Sequence, residues 1–212
     1  MREQIAEVIR AVGQVFYGKE PQVRLALTCL FSQGHLLIED LPGMGKTTLS
    51  QALARVLGLE YQRLQFTSDM LPADILGVTI FDPRSQAFKF HPGPVFTQLL
   101  LADEVNRTSP KTQSALLEAM EEQRITLDGT TYPLPVPFFV IATQNPVTQY
   151  GTFPLPESQL DRFLMRIELG YPDRRAEREL LVGGDPRSRM AQLHTVIEPD
   201  ALARISAACA RV

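Results

Sequence analysis

Residues 36–48 read LLIEDLPGMGKTT, and this stretch decides the fold. Its apolar start predicts a short buried strand, and the run after Gly45 predicts a helix. Between them, Gly43 and Gly45 let backbone N–H groups curve around an anion with no Cβ in the way. The N-terminus of the following helix adds unpaired N–H groups and a partial positive charge. The stretch is therefore typical of a strand, a phosphate-binding loop and a helix.

The polar side chains after this loop fit a nucleoside triphosphate. Lys46 is placed to reach the β- and γ-phosphates, and the Thr47 hydroxyl is placed to bind Mg²⁺. We therefore predict that the chain binds ATP with Mg²⁺. The predicted phosphate-binding residues are Leu41, Pro42, Gly43, Met44, Gly45, Lys46, Thr47 and Thr48. The alternative for this stretch alone is a glycine-rich turn between a strand and a helix.

Asp40 departs from the usual form of the loop. The pattern G-x-x-x-x-G-K-[ST] has glycine at the position that Asp40 occupies here. Because a carboxylate beside a triphosphate is repelled by it, we expect the Asp40 side chain to turn away from the phosphates. It would then cap backbone groups or form an ion pair at the end of the strand.

The composition is that of an ordinary soluble globular protein. The 212 residues are 44% hydrophobic and 21% charged, and the net charge of −3 gives no general attraction to nucleic acid or acidic membranes. No apolar run reaches the length that spans a membrane, and no signal-peptide core follows the first residues. We expect Cys29 and Cys209 to be buried, reduced thiols, which favours a cytoplasmic protein.

Strand-like and helical patterns alternate along most of the chain. This alternation predicts a three-layer α/β domain with a mainly parallel sheet. The predicted strands are residues 36–38, 62–66, 99–101, 138–143 and 165–169. Residues 71–91 are expected to be irregular, whereas Asp128-Gly129 predicts a hairpin turn.

The character of the chain changes after residue 172. Residues 173–182 and 199–212 have helical patterns, joined by a link rich in Gly, Pro and Arg, and no strand is predicted there. We read this region as the start of a helical appendage. Because the chain stops at Val212 within a predicted helix, we expect it to be a fragment of a longer protein.

Two buried strands end in polar residues. Residues 99–107 read LLLADEVNR, where Asp103 is expected to hold Mg²⁺ and Glu104 to orient and polarise the attacking water. The alternative is an acidic pair that caps the next helix. Residues 138–146 read FFVIATQNP, and the Asn145 amide can contact both a γ-phosphate and the attacking water. The alternative is a turn at Asn145-Pro146.

A fourth motif contains a single arginine. Residues 155–167 read LPESQLDRFLMRI, and we place Arg162 on a short helix before the last strand. It is a candidate arginine finger that contacts a γ-phosphate held by a neighbouring subunit. The alternative is a surface arginine paired with Asp161 or Glu157.

The order of these motifs resembles the MoxR family of AAA+ ATPases over about residues 15–171. The resemblance implies a P-loop NTPase core at 1–171, with a five-stranded parallel sheet, a helix-2 insert near 67–94 and a hairpin near 122–135. It implies the beginning of a helical lid at 172–212. The implied catalytic and metal residues are Lys46 and Thr47 of Walker A, Asp103 and Glu104 of Walker B, Asn145 as sensor 1 and Arg162 as the arginine finger. The implied adenine-side residues are Val15, Tyr17 and Gly18.

The resemblance also implies a role. Such proteins form rings, commonly hexamers, with ATP between subunits, and act as chaperone-like factors on client complexes, often with a partner that carries a von Willebrand factor A domain. Other readings are an ATPase subunit of a metal chelatase and an assembly platform with little turnover, although Glu104 disfavours the platform. A nucleic-acid motor is disfavoured because the hairpin near residues 122–135 mixes charges instead of being basic.

Overall fold

The computed structural model describes residues 2–145, 151–182 and 186–209. The helices are α1 (Arg2–Gly13), α2 (Glu20–Phe31), α3 (Lys46–Val56), α4 (Pro72–Leu76), α5 (Pro110–Glu122), α6 (Glu157–Leu160), α7 (Arg174–Val182), α8 (Pro186–Gln192) and α9 (Pro199–Cys209). The strands are β1 (Leu36–Glu39), β2 (Tyr61–Gln65), β3 (Gly77–Asp82), β4 (Ala87–Pro92), β5 (Leu99–Asp103), β6 (Arg124–Leu127), β7 (Thr130–Pro133), β8 (Phe139–Gln144) and β9 (Met165–Ile167).

A five-stranded parallel sheet in the order β2-β5-β8-β1-β9 forms the centre, which confirms the predicted α/β class. The central strands β5 and β8 are almost wholly buried because a parallel sheet is covered on both faces. Their register pairs Leu99 with Phe139, so that both strands reach the same carboxyl edge. That edge carries Asp103 at the end of β5 and Asn145 just beyond β8.

Successive residues of the central strands enter two separate apolar clusters, one on each face of the sheet. Leu99 and Leu101 point into a cluster that is shared with α1, α2, α3 and α9. Leu100 and Ala102 point into a cluster shared with α4 and α5. This period-2 alternation between two helical layers gives the three-layer arrangement.

The expectation that residues 71–91 are irregular is wrong. They contain α4 and the antiparallel hairpin β3–β4, with Phe81 opposite Phe88 and ring centroids 5.3 Å apart. The turn places Gln86 in the left-handed region, at φ 49°. The hairpin was missed because its strands are mostly exposed and Pro83 interrupts the pattern, so no buried apolar run marks it.

The second hairpin, β6–β7, was predicted and is present. Asp128 and Gly129 take φ 50° and 77°, the positive values that a tight hairpin turn requires. The two hairpins touch through stacked rings of Phe90 and Tyr132, whose centroids lie 4.1 Å apart. The inserted hairpins therefore form one surface.

The region after residue 172 is helical, as predicted, but the predicted link contains the helix α8. The predicted helix 199–212 is present as α9, and its last three residues lie outside the described ones. Ile197, Leu202 and Ile205 join the apolar cluster of α1 and α2, so this region packs on the core. Among the described residues no helix is long and apolar enough to cross a membrane.

The cysteines differ from each other. Cys29 is buried, and burial raises the pKa of its thiol to about 12. Cys209 is exposed, which corrects the expectation that both thiols are buried. The error arose because an apolar helical pattern does not show which face of a terminal helix meets the core.

His35 is a buried polar residue with both ring nitrogens in use. Its Nδ1 accepts from the Val140 N–H at 3.1 Å, so its Nε2 donates to the Met120 carbonyl at 3.2 Å. Burial lowers the pKa of His35 to about 4. The side chain therefore links β8 to the end of α5 in its neutral form.

Candidate functional site

The phosphate loop opens onto a cavity of about 390 Å³ at the carboxyl edge of the sheet. The cavity is lined by Pro42, Gly43, Gly45, Lys46, Thr47, Thr48, Arg63, Gln65, Asp103, Glu104 and Asn145. Of the predicted loop residues, Leu41 and Met44 are not among these: Leu41 is exposed and Met44 packs against the apolar cluster of α1–α3.

Glycine is required at the start of α3. Gly45 has φ 90°, which L side chains rarely adopt. A Cβ there would also lie 2.8 Å from the Phe16 ring. The loop therefore keeps its backbone close to the cavity, where N–H groups can face an anion.

Lys46 is almost fully buried beside this loop. Its Nζ donates to the Asp40 carbonyl at 2.6 Å and to Asn145 Oδ1 at 3.3 Å. Burial lowers the pKa of Lys46, while Asp103, Asp40 and Glu104 act in the opposite direction. The side chain brings a desolvated ammonium to the cavity wall, where a phosphate would be attracted strongly.

Asp103 is held by two partners at the tip of β5. Its Oδ1 accepts from Thr143 Oγ1 at 2.6 Å, and its Oδ2 pairs with Arg63 Nη2 at 2.7 Å. A carboxylate that pairs with a guanidinium can hold a cation at the cavity. Thr47 lines the same cavity, and hydroxyl and carboxylate oxygens are ligands that suit Mg²⁺.

Glu104 stands in the left-handed region, at φ 58° and ψ 49°. Its N–H donates to Thr143 Oγ1 at 2.9 Å, which stabilises this costly backbone conformation. Its carboxylate accepts from Asn145 Nδ2 at 2.7 Å and from Gln65 Nε2 at 2.8 Å, and pairs with Arg107 Nε at 2.9 Å. Helix α5 is capped by Ser109 instead, so the acidic pair does not serve as its cap.

Asp40 faces away from the phosphate loop. Its Oδ2 accepts from the N–H groups of Leu169 and Gly170 at 2.8 and 2.6 Å, and its Oδ1 accepts from its neighbour Leu41 at 2.7 Å. The structure therefore places the side chain as expected, as a cap on backbone groups just beyond β9.

Arg162 lies outside the cavity of its own chain. It follows α6, which ends at Leu160, so its predicted place on the helix is wrong. It donates to the Leu117 carbonyl at 3.1 Å and pairs with Glu121, not with Asp161 or Glu157. The turn packs against α5, and this tertiary contact supplies the partner.

A second cavity, of about 380 Å³, lies beside Tyr17 and is lined by residues of α7 and α8. Arg178, Glu179 and Val182 come from α7, and the Arg189 guanidinium lies 5.5 Å from the Tyr17 ring centroid. The other two predicted adenine-side residues are elsewhere. Val15 is buried in the core, and a Cβ on Gly18 would meet the Ala176 side chain.

Sequence reasoning missed Arg63, Gln65 and Thr143. All three lie on strands next to β5, and they hold the two predicted acids. Gln65 and Thr143 stand at the carboxyl ends of β2 and β8, where a polar strand end was the signal, whereas Arg63 lies in the middle of β2. Recognising that signal required the order of strands in the sheet.

The sequence model of the "ATPase family associated with various cellular activities (AAA)" matches residues 35–165, from the start of β1 to the start of β9. Chaperone MoxR1 of Mycobacterium tuberculosis is 44% identical over 177 residues, which is 84% of this chain and 47% of that protein. The chain belongs to the MoxR family of AAA+ ATPases. The family resemblance predicted from motif order is thus confirmed.

Two further proteins are similar to this chain over most of its length. The uncharacterized protein YeaC of Bacillus subtilis is 50% identical over 177 residues, or 84% of this chain and 55% of YeaC. A crystal structure of a candidate ATPase from Cytophaga hutchinsonii has a TM-score of 0.84 and 41% identity, over 97% of this chain and 62% of that one. The chain spans about half the length of the curated relatives it matches.

Proposed function

We propose that this chain binds ATP with Mg²⁺ in the first cavity and hydrolyses it. The main support is that four side chains from three separate chain segments line one space beside a phosphate loop. They are Lys46, Asp103, Glu104 and Asn145. Phosphoryl transfer depends mostly on positioning and on stabilising charge, and these are the groups that do both.

Each side chain has a distinct part in the proposed reaction. Lys46 contacts the β- and γ-phosphates, and Thr47 and Asp103 hold Mg²⁺, which when bound neutralises phosphate charge. Glu104 orients and polarises the attacking water. Asn145, which already donates to Glu104 at 2.7 Å, positions the same water and a γ-phosphate oxygen.

Glu104 is restrained before the reaction. Gln65 and Arg107 both hold its Oε2, so the carboxylate must change partners or share them when it takes up a water. Arg63 likewise pairs with Asp103, the proposed Mg²⁺ ligand, and a bound metal would compete with it for that carboxylate. Both acids are therefore held at the cavity by neighbouring side chains.

We infer a chaperone-like role in a homo-oligomeric ring, commonly a hexamer, in the cytoplasm. The relative named Chaperone MoxR1 supports the class of function. The client and a partner with a von Willebrand factor A domain are proposed on the family relationship alone. Arg162 does not line its own cavity, which supports its use as an arginine finger toward a neighbouring subunit. A chelatase-type ATPase subunit is the second candidate, since the exposed surface formed by the two hairpins would serve either role.

Turnover of ATP by the full-length protein tests the proposal. Glu104→Gln should bind ATP with unchanged affinity and lose turnover, because the amide keeps the shape but not the charge that polarises water. Lys46→Ala should lose ATP binding. Glu118→Gln, an exposed glutamate of α5, is the matched control and should behave as wild type. Wild-type turnover in Glu104→Gln would assign the base to another residue, and wild-type affinity in Lys46→Ala would exclude this loop as the phosphate site.

A further inference from the structure

The peptide group between Leu169 and Gly170 is bound at both ends by opposite charges. Lys19 Nζ donates to the Leu169 carbonyl at 2.6 Å, and Asp40 Oδ2 accepts from the Gly170 N–H at 2.6 Å. A peptide group has a dipole of about 3.5 D, with its negative end at the oxygen. Here the dipole lies between an ammonium and a carboxylate in its favourable direction, so both charges stabilise it.

Lys19 and Asp40 Oδ2 make further hydrogen bonds to the same segment, while Asp40 Oδ1 accepts from the Leu41 N–H. Lys19 also donates to the carbonyls of Gly170 at 2.9 Å and Tyr171 at 2.6 Å, so all three of its N–H groups are used. Asp40 Oδ2 also accepts from the Leu169 N–H at 2.8 Å. Lys19 is only 6% exposed, so this is a built, desolvated contact and not a surface ion pair.

The segment 169–171 connects the sheet to α7. It leaves β9, bends at Gly170 with φ 66°, and reaches α7, whose Asp173 caps the first turn by accepting from the Ala176 N–H at 2.7 Å. Arg178, Glu179 and Val182 of α7 line the second cavity. The direction in which the chain leaves the sheet therefore determines where one wall of that cavity stands.

Asp40 also touches the phosphate loop, through its backbone. Its carbonyl accepts from Lys46 Nζ at 2.6 Å. A single residue thus contacts the loop lysine with its main chain and the segment leading to α7 with its side chain. Glycine, which the usual loop pattern has here, can make only the first of these contacts.

We propose that Asp40 is a positioning residue that, together with Lys19, sets the second cavity for the nucleoside half of the nucleotide. This rests on the proposed function, with the triphosphate in the first cavity, and on the place beside Tyr17 that the family resemblance implies for the base. Removing the Asp40 side chain frees the 169–171 segment and weakens contacts to the nucleoside. The Oδ1 contact that is lost as well belongs to Leu41, which is exposed and does not line the first cavity. The phosphate loop keeps its glycines, Lys46 and the backbone carbonyl that Lys46 contacts, so binding of the phosphates should be preserved.

The test compares ATP with tripolyphosphate, which has the phosphates without the nucleoside. Calorimetry on the natural full-length protein measures both ligands with Mg²⁺, for wild type, Asp40→Gly and Lys19→Met. Both variants should bind ATP roughly 10- to 100-fold more weakly, as expected for losing a charge-assisted hydrogen bond. Tripolyphosphate affinity should change by less than about threefold. The double variant should lose less than the two single losses combined, since both act on one segment.

Asp74→Asn is the matched control. Asp74 also accepts from a backbone N–H, that of Leu71 at 2.8 Å, but it caps α4, whose residues line neither cavity. It should leave both affinities unchanged. If Asp40→Gly does not fold, judged by circular dichroism, the same criteria are applied to Asp40→Asn, which keeps the size and one acceptor oxygen.

Two results would overturn the inference. ATP affinity within about threefold of wild type in a folded Asp40 variant would show that nucleotide binding does not depend on the contact between Asp40 and segment 169–171. An equal loss of affinity for ATP and for tripolyphosphate would show that the substitution acts on the phosphate loop itself. If wild type binds neither ligand, the proposed function fails instead, which separates the two conclusions.

Discussion

Replacing Thr143 with valine should disturb both acids of the site at once. The Thr143 hydroxyl donates to Asp103 at 2.6 Å and accepts from the Glu104 N–H at 2.9 Å, and the residue is fully buried. Valine has nearly the same shape but neither hydrogen bond. The change therefore removes a group that links the Asp103 carboxylate to the Glu104 backbone, with little change in packing.

The size of the effect follows from the two bonds. A hydrogen bond to a carboxylate contributes about 1.5–3 kcal/mol, and a backbone N–H left without its partner costs about 1–3 kcal/mol. The Asp103 side chain is 13% exposed, so water replaces part of the first loss. We expect Thr143→Val to lower the free energy of unfolding by about 3 kcal/mol. ATP turnover should fall by roughly 100-fold, as for a misplacement of about 1 Å.

Urea unfolding and steady-state turnover measure the two effects. Thr143→Ser is the matched control because it keeps the hydroxyl and loses only the methyl group, so its turnover should stay near that of wild type. If Thr143→Val unfolds at the wild-type urea concentration and hydrolyses ATP at the wild-type rate, the reasoning about the strand-end acids is refuted.

Three further predictions concern His35, the two cysteines and Arg162. His35 has a pKa of about 4 when folded, below its ordinary 6.5, so the unfolded chain binds the proton first as the pH falls. The free energy of unfolding should therefore fall by roughly 3 kcal/mol as the pH is lowered from about 6.5 to 4. Urea titrations of His35→Asn should show a smaller fall over the same pH range, because the contribution of His35 is missing. A thiol reagent should modify Cys209 in the native protein and Cys29 only after unfolding, and rapid native modification of Cys29 would contradict its burial. Arg162→Ala should bind ATP and hydrolyse it about 10³-fold more slowly, and mixing it with Lys46→Ala should restore some activity. Co-assembled mixtures that stay inactive would exclude a role of Arg162 across subunits.

Most of the fold could be predicted from short sequence motifs. The phosphate loop between an apolar run and a helix, and the apolar runs that end at Asp103 and Asn145, are signals contained within a dozen residues each. Such signals report burial and backbone conformation directly, so the parallel sheet and its functional edge could be read from them. The hairpin β3–β4 could not, because its exposed strands lack an apolar run.

Partners of the site residues depend on tertiary structure. Gln65 reaches Glu104 across 39 positions of sequence because β2 pairs with β5 in a register that places Gln65 opposite Asp103. Arg162 pairs with Glu121 because the turn after α6 packs against α5. Neither contact has a local signal, since strand order and helix packing decide them. Lys19 and Asp40 likewise meet at a segment about 130 to 150 positions further along the chain.

A crystal structure with Mn²⁺ and a non-hydrolysable ATP analogue tests the proposed nucleotide site most directly. We expect an anomalous manganese peak between Thr47 and Asp103, with Arg63 displaced from the Asp103 carboxylate. The triphosphate should lie against Lys46 and the base beside Tyr17. Manganese or triphosphate bound anywhere other than the cavity at the phosphate loop would exclude this site as the place of ATP hydrolysis.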